Sequence, residues 1–554
     1  MTGSHDYLSL IAWLPDLLFN GQCFESGVAL VCHPTGRIVK VIRVDELKDE
    51  KRIRLSNRAL LPGMVNAHSH AFQRVLRGRT EYRIGNPPFS GGLMPAGSGG
   101  GSTLSKQDSF WTWREMMYSA AIRLTPEDVY DASRMAFLEM ALSGITAVGE
   151  FHYIHRAPDG TPYDDQNLLA KEVVRAARDI GLRTALLRVA YARSGYQTEE
   201  NPRQSRFIEK EAEIYLRNLE SLIADVNRGS SPTVREGSSS AAESGALPDR
   251  PTPAGLPGWG PRGRATAPPA TVWIGVAPHS VRAVPLDNLR EVIGYAKQHE
   301  LKVHMHVAEQ PAEVSACVEE YGRTPIALLE TEGLLSENFT AVHAIHVTPK
   351  TIPSFARAGA MVCACPTTER NLGDGVVPAD EYFKHGIAVC LGTDSHVQID
   401  LLEDARELEY NLRLQKLARA VLDGRNPTVR EGAYKATAES ADETETGTLP
   451  NGRVSALALR LFDCATVNGA RSIGAAGGAL EPGEPADFFT VALDDPSIAG
   501  ALADDLLTSI VFSSSRAAVR EVVVAGQPIV SEGRHLVQEE VVERFNEMQK
   551  RLWG

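Results

Sequence analysis

Two histidines separated by one residue, His68 and His70 in LPGMVNAHSH (residues 61–70), are the first chemistry the chain offers. The apolar and small residues around them, Leu60, Leu61, Met64, Val65 and Ala67, read as a buried strand. Side chains two apart on a strand share a face, so both imidazoles can reach one point from the end of that strand. Imidazole is a common metal ligand, and such a pair would be half of a four-coordinate site. A His-x-His also occurs as surface or hydrogen-bonded core residues, so its meaning depends on what the chain aligns with it.

Further polar residues close later apolar runs. Glu150, His152 and Tyr153 end TAVGEFHY, and His279 and Arg282 follow VWIGVAPHSVR. His306 and Glu309 lie in KVHMHVAEQ, His343 in TAVHAIHV and Asp394 in IAVCLGTDSH. Two histidines from a first strand, one from a middle strand and an aspartate from the last make a mononuclear site of three nitrogens and one oxygen. Zinc suits that set best, with one position open for water; iron and manganese are compatible with the same ligand types.

The elements that must position these groups alternate strand and helix. Eight strand-like runs begin near residues 64, 146, 182, 271, 302, 340, 359 and 387. Helix-like stretches such as TPEDVYDASRMAFLEMALSG lie between them; there Thr125 can cap, Pro126 fits the first turn and Gly144 ends it. Eight βα units predict an α/β fold, a (β/α)8 TIM-like barrel, whose working groups gather at the C-terminal ends of its strands. A doubly wound sheet is the alternative, but no Gly-x-Gly-x-x-Gly follows the first strand. Both chain ends are β-rich and are expected to pair into a small β-sandwich. The expected domains are therefore 1–61 and 473–554 for the sandwich and 62–472 for the barrel. Gly-, Pro- and Ser-rich or polar runs at 85–106, 227–270 and 421–455 read as loop insertions.

Composition narrows the partners. Over 554 residues the chain is 43% hydrophobic and 23% charged, an ordinary globular balance, with a net charge of −13. That acidity argues against nucleic acid or a membrane surface as a partner. An anionic substrate must then be caught by a few placed arginines. Seven cysteines without a Cys-x-x-Cys pair suit reduced thiols, and Cys363-Ala-Cys365 reads as part of a buried strand rather than a metal site. The N-terminal stretch has no basic lead and no spanning segment, so a cytoplasmic location is expected.

PGMVNAHSH, HMHVAE, AVHAIH and LGTDSH, in this order, resemble the amidohydrolase superfamily of metal-dependent barrel hydrolases. SFWTWREMMY, GEFHYIH, APHSVRAV, CPTTERNLGDG and GTDSHVQIDLLEDARELEY narrow the resemblance to the formimidoylglutamate deiminase family. The resemblance implies hydrolysis of N-formimino-L-glutamate to N-formyl-L-glutamate and ammonia, a step of histidine degradation. It implies His68, His70, His306 and Asp394 as ligands of one divalent ion, most simply Zn2+. His304 shares a face with His306, and it is the family pattern that selects His306. Glu309 and His343 match acid/base positions, with Asp394 as a further proton acceptor. Arg114, Tyr153, His279 and Arg282 match substrate-binding positions.

The chemistry of those residues agrees with this. The substrate would be a small dicarboxylate, and arginine is the natural bidentate partner of a carboxylate. The rival for Arg114 is a loop arginine stacked on Trp111 or Trp113, and for Tyr153 and His279 a place in the polar core. Two features depart from the family. Arg370 stands where a small residue is usual, and the insertion at 85–106 separates the metal histidines from Arg114. The competing functions are a deaminase or chlorohydrolase of the same superfamily acting on a purine or triazine ring, and a non-catalytic barrel scaffold. A homodimer is expected by analogy alone.

Overall fold

The computed structural model describes residues 9–81, 109–229, 268–423 and 455–554. Eight parallel strands form one sheet in sequence order. They are β1 Met64–Ser69, β2 Ile145–His152, β3 Arg183–Ala190, β4 Val272–Pro278, β5 Val303–Val307, β6 Phe339–His343, β7 Met361–Ala364 and β8 Val389–Leu391. Each expected strand is present. Past β8 the chain returns to β1: Ser69 and Asp394 form a parallel bridge, Asp394 N–H donates to the His68 carbonyl at 3.0 Å, and His70 N–H donates to the Asp394 carbonyl at 3.0 Å. The barrel closes, and it closes on its metal-ligand candidates.

Nearly every strand residue is buried, because helices cover the outer face and side chains fill the interior. Local signals set the helices. In Pro126–Leu142, Thr125 and Asp128 form a reciprocal capping box, Pro126 opens the first turn, and Gly144 follows the end at φ 89°. Close approach of backbones constrains the strands. A Cβ on Gly392 would lie 2.7 Å from His68 Cβ and 2.9 Å from the His68 carbonyl, so only glycine lets the last strand run this near the first.

Both chain ends meet in a second, nine-stranded sheet. Its seam is antiparallel pairing of Lys51–Pro62 with Phe488–Ala492, from Arg58 opposite Ala492 to Pro62 opposite Phe488. The C-terminal part also carries a helix, Gln538–Trp553, which buries Val541, Phe545, Met548 and Leu552. That helix returns to the barrel, where Arg544 reaches Asp131 at 2.8 Å and Arg134 reaches Glu540 at 2.7 Å. Of the expected insertions, 85–106 lies wholly outside the described residues, as do 230–267 and 424–454 of the other two. The helix Ala212–Gly229 occupies the start of the second, so that segment does not begin as a loop at 227.

Candidate active site

The four expected ligands converge at the C-terminal mouth of the barrel. His68 and His70 end β1, His306 lies near the end of β5, and Asp394 follows β8 with φ 46°. Their donor atoms all lie within 4.8 Å of one another, and all four residues are buried. His68 Nε2 and His70 Nε2 are 3.2 Å apart, and Asp394 Oδ1 lies 3.5 Å from the first and 3.2 Å from the second.

Hydrogen bonds behind the rings fix which nitrogen faces inward. His70 Nδ1 lies 3.0 Å from the Phe151 carbonyl and His306 Nδ1 lies 3.0 Å from the His279 carbonyl. A carbonyl can only accept, so each Nδ1 carries a proton and Nε2 is the nitrogen turned toward the centre. Burial pushes His68 down to about 3 and His306 well below its ordinary value, which keeps both rings neutral. Neutral imidazole nitrogens this close, facing a carboxylate, suit a shared divalent cation. The fit to one metal ion is good. His304 lies one layer deeper, its Nε2 3.1 Å from the Ser472 carbonyl, and stands outside this set.

His343 ends β6 beside the cluster. Its Nε2 lies 3.7 Å from both Glu309 Oε1 and Asp394 Oδ2, while its Nδ1 lies 3.1 Å from Glu369 Oε1. Burial alone would depress this imidazole, but the surrounding carboxylates, Glu309 foremost, hold it up at about 10. Burial raises Glu309 above the usual carboxylate range. Glu313, in the first turn of the next helix, accepts from the backbone N–H of Ala308 at 3.2 Å and of Glu309 at 3.1 Å. It therefore pins the turn that aims Glu309.

The expected substrate residues line the same cleft as His70, His306, Glu309 and Asp394. Arg114 sits on the helix Phe110–Ala121 rather than on a loop. Its Cζ is 4.4 Å from the Trp111 ring centre, so the stacking rival is real, yet Nε and Nη1 are buried with no hydrogen-bond partner among the described residues. Arg282 approaches the same indole at 5.8 Å, and its Nε is likewise unsatisfied. The Tyr153 hydroxyl accepts from Gln73 Nε2 at 2.7 Å, and the His279 ring packs 4.7 Å from Tyr191.

Other sequence candidates have separate roles. His396 is hydrogen-bonded to Ser69 at 2.9 Å and Thr393 at 3.0 Å, beneath the ligands. His155 and His346 donate to backbone carbonyls at 2.9 and 2.8 Å, and His152 Nε2 has no partner among the described residues. Arg370 points outward to Glu407 at 2.5 Å and does not line the cleft. All seven cysteines are free. Sequence reasoning missed Gln73, Glu313 and Glu369. Gln73 and Glu313 each follow a recognised site residue within one turn or loop, which is the signal that could have found them.

The amidohydrolase family profile matches residues 59–244 and 256–529. A formimidoylglutamate deiminase of Pseudomonas aeruginosa is 33% identical over 88% of each chain. A 5-methylthioadenosine/S-adenosylhomocysteine deaminase of Pyrococcus abyssi is 23% identical over 96% of this chain and 97% of its own. The crystal structure of an amidohydrolase from Brucella melitensis superposes with a TM-score of 0.74 at 29% identity, covering 99% of this chain and all of the other. Barrel, buried ligand cluster and these similarities lead to one statement: the chain belongs to the amidohydrolase family and is a deaminase of that superfamily, a hydrolase acting on C–N bonds.

Proposed function

We propose that the protein hydrolyses N-formimino-L-glutamate to N-formyl-L-glutamate and ammonia. The observation that carries this reading is the pair of guanidinium groups with unsatisfied nitrogens, Arg114 and Arg282, which flank the Trp111 indole and line the same cleft as His70, His306 and Asp394. Two fixed cations match a substrate with two carboxylates. The 33% identical relative carries that substrate in its name.

His68, His70, His306 and Asp394 would hold the metal, with zinc the best match to three imidazoles and a carboxylate. Bound there, it supplies activation of water near neutral pH. Arg114 and Arg282 bind the carboxylates, while Tyr153 and His279 shape the wall between them and the reacting carbon. Asp394, with Oδ2 toward His343 Nε2, accepts the proton released as water adds. Glu309, its carboxyl raised by burial and its Oε1 3.7 Å from His343 Nε2, delivers a proton to the departing nitrogen so that ammonia leaves. Histidine degradation is the metabolic setting this substrate implies, with no nucleic-acid or membrane partner. Among the described residues no helix is long and apolar enough to cross a membrane.

A second reading has an observation of its own. Trp113, Tyr118, Tyr153 and Tyr191 give the cleft aromatic walls that would suit a purine or triazine ring. Such a ring leaves both guanidinium groups without an anion. Ammonia release from N-formimino-L-glutamate, compared with adenosine, guanine and 5-methylthioadenosine, decides between them. Release from the dicarboxylate that stops with a chelator supports the first reading. Release from the purines alone replaces it.

A further inference from the structure

His343 is held in an unusual backbone state. Its φ is 66° and that of Ala344 is 49°, both in the left-handed region, where a histidine is tolerated only when its surroundings fix it. Ala344 N–H donates to the Val307 carbonyl at 3.0 Å, and the Tyr382 hydroxyl donates to the Ala344 carbonyl. The backbone places the ring, but rotation about its own bonds would still exchange Nδ1 and Nε2. One side chain removes that freedom. Glu369, on the short helix Pro366–Leu372 after β7, is 2% exposed, and its Oε1 lies 3.1 Å from His343 Nδ1. The same oxygen accepts the backbone N–H of Cys365 at 2.8 Å, so the carboxylate cannot swing away from the ring. A carboxylate oxygen already accepting one N–H makes Nδ1 the protonated nitrogen. Nε2 is then the nitrogen exposed to Asp394 and Glu309, and it has no hydrogen-bond partner among the described residues.

We propose that Glu369 is a positioning residue for the reaction: it fixes the orientation of the His343 ring, with Nδ1–H toward Glu369, so that Nε2 is presented to Asp394 and Glu309. This rests on the reading above in which Asp394, its Oδ2 facing His343 Nε2, accepts the proton taken from water, and it does not depend on which substrate is turned over. Glu369 touches neither substrate nor metal in this scheme. A rival use of the same atoms, a second metal site formed by His343, Cys365 and Glu369, is disfavoured because the carboxylate oxygen is already occupied by two N–H donors.

Two measurements test the proposal. Glu369→Ala and Glu369→Gln are made in the wild-type and His343→Asn backgrounds, and kcat, KM and bound metal are measured with whichever substrate releases ammonia. Supporting partners of histidines at metal sites typically contribute about 10–100-fold to activity. Glu369→Ala is expected to lower kcat by about that factor with KM and metal content within about two-fold of wild type, and Glu369→Gln, which keeps an acceptor oxygen, by less. In His343→Asn, either change should cost less than about two-fold, since the residue it acts through is gone. Equal losses in both backgrounds would overturn the proposal and make Glu369 a prop for the Cys365 turn. Independently of turnover, nitrogen-15 spectra of histidine-labelled protein should show a His343 Nδ1–H signal, identified by its loss in His343→Asn. That signal should shift or vanish in Glu369→Ala, or in Glu369→Gln shift alone if the alanine variant does not fold. An unaltered signal overturns the proposal even if the substrate assignment stands, and a failed formimino-glutamate assay leaves this spectral arm intact.

Discussion

The two guanidinium groups and the two carboxylates of the site answer to different kinetic constants. Arg114 and Arg282 contact parts of the substrate that do not react, so their removal weakens ground state and transition state together. Arg282→Met is expected to raise KM by about 10–100-fold, the worth of one charge-assisted hydrogen bond near 1.5–3 kcal/mol, with a smaller change in kcat. Arg114→Met should cost less, because the Trp111 stack already satisfies part of that cation. Steady-state kinetics at saturating metal checks both, and an unchanged KM in each would remove the arginines from the binding scheme. Glu309 works on the other constant. Glu309→Gln should lower kcat by about 10²–10⁴-fold while metal content by elemental analysis stays at the wild-type level, because its carboxylate lies outside the four-ligand cluster. Turnover close to wild type in that variant would transfer the proton-delivery role elsewhere.

At the scale of elements, β1 and β8 carry three of the four ligands, and their spacing is set by a residue with no side chain. Alanine at Gly392 would place a methyl 2.7 Å from His68 Cβ and 3.1 Å from Cys365 Sγ, so the strands must part. Overpacking of this kind costs about 1–3 kcal/mol. We expect Gly392→Ala to remain folded by circular dichroism, melt lower, and bind metal more weakly in a chelator competition; wild-type metal affinity would show that the cluster tolerates strand separation. The strands themselves were legible because parallel strands covered on both faces read as unbroken apolar runs, as in β3 and β7. His304 and His306 were not separable by period, since residues two apart share a face. Depth along the strand distinguishes them, and depth is set by the neighbouring Ser472 carbonyl and the His68 ring. Glu369 was invisible for a related reason: its partner His343 is distant in sequence, and no local spacing announces a contact made across two barrel strands. The helix Gln538–Trp553 does show its apolar positions at helical spacing in Val541, Phe545, Met548 and Leu552, but the β-rich segments before it dominated that end of the chain.

The whole molecule is a barrel whose first strand leaves directly from the sheet made by the chain ends. Pro62 is the last residue of a sheet strand, Met64 opens β1, and Gly63 N–H donates to the Asp487 carbonyl at 3.0 Å. The junction is electrostatic as well as covalent. Arg183, at the start of β3, places Nη1 2.6 Å from Asp487 Oδ2, with both side chains no more than 3% exposed. The other Asp487 oxygen accepts from Ala525 N–H at 2.7 Å, so one carboxylate joins the barrel to the turn between the sheet strands Val519–Val524 and Gln527–Ser531. Truncating one partner of a buried pair leaves an uncompensated charge and costs about 3–5 kcal/mol, more than the pair itself contributes. Arg183→Met should therefore lower the melting temperature and reduce the yield of folded protein. Pairing it with Asp487→Asn, which removes the stranded charge but keeps an acceptor for Ala525, should recover much of the loss. Urea melts of the two single variants and the double variant measure this coupling; additive losses would mean that the barrel and the sheet are joined by packing alone. Because Arg183 lies at the opposite end of its strand from the ligand cluster, kcat/KM per folded, metal-loaded molecule should be unchanged in all three variants, separating what holds the two sheets together from what the barrel mouth does.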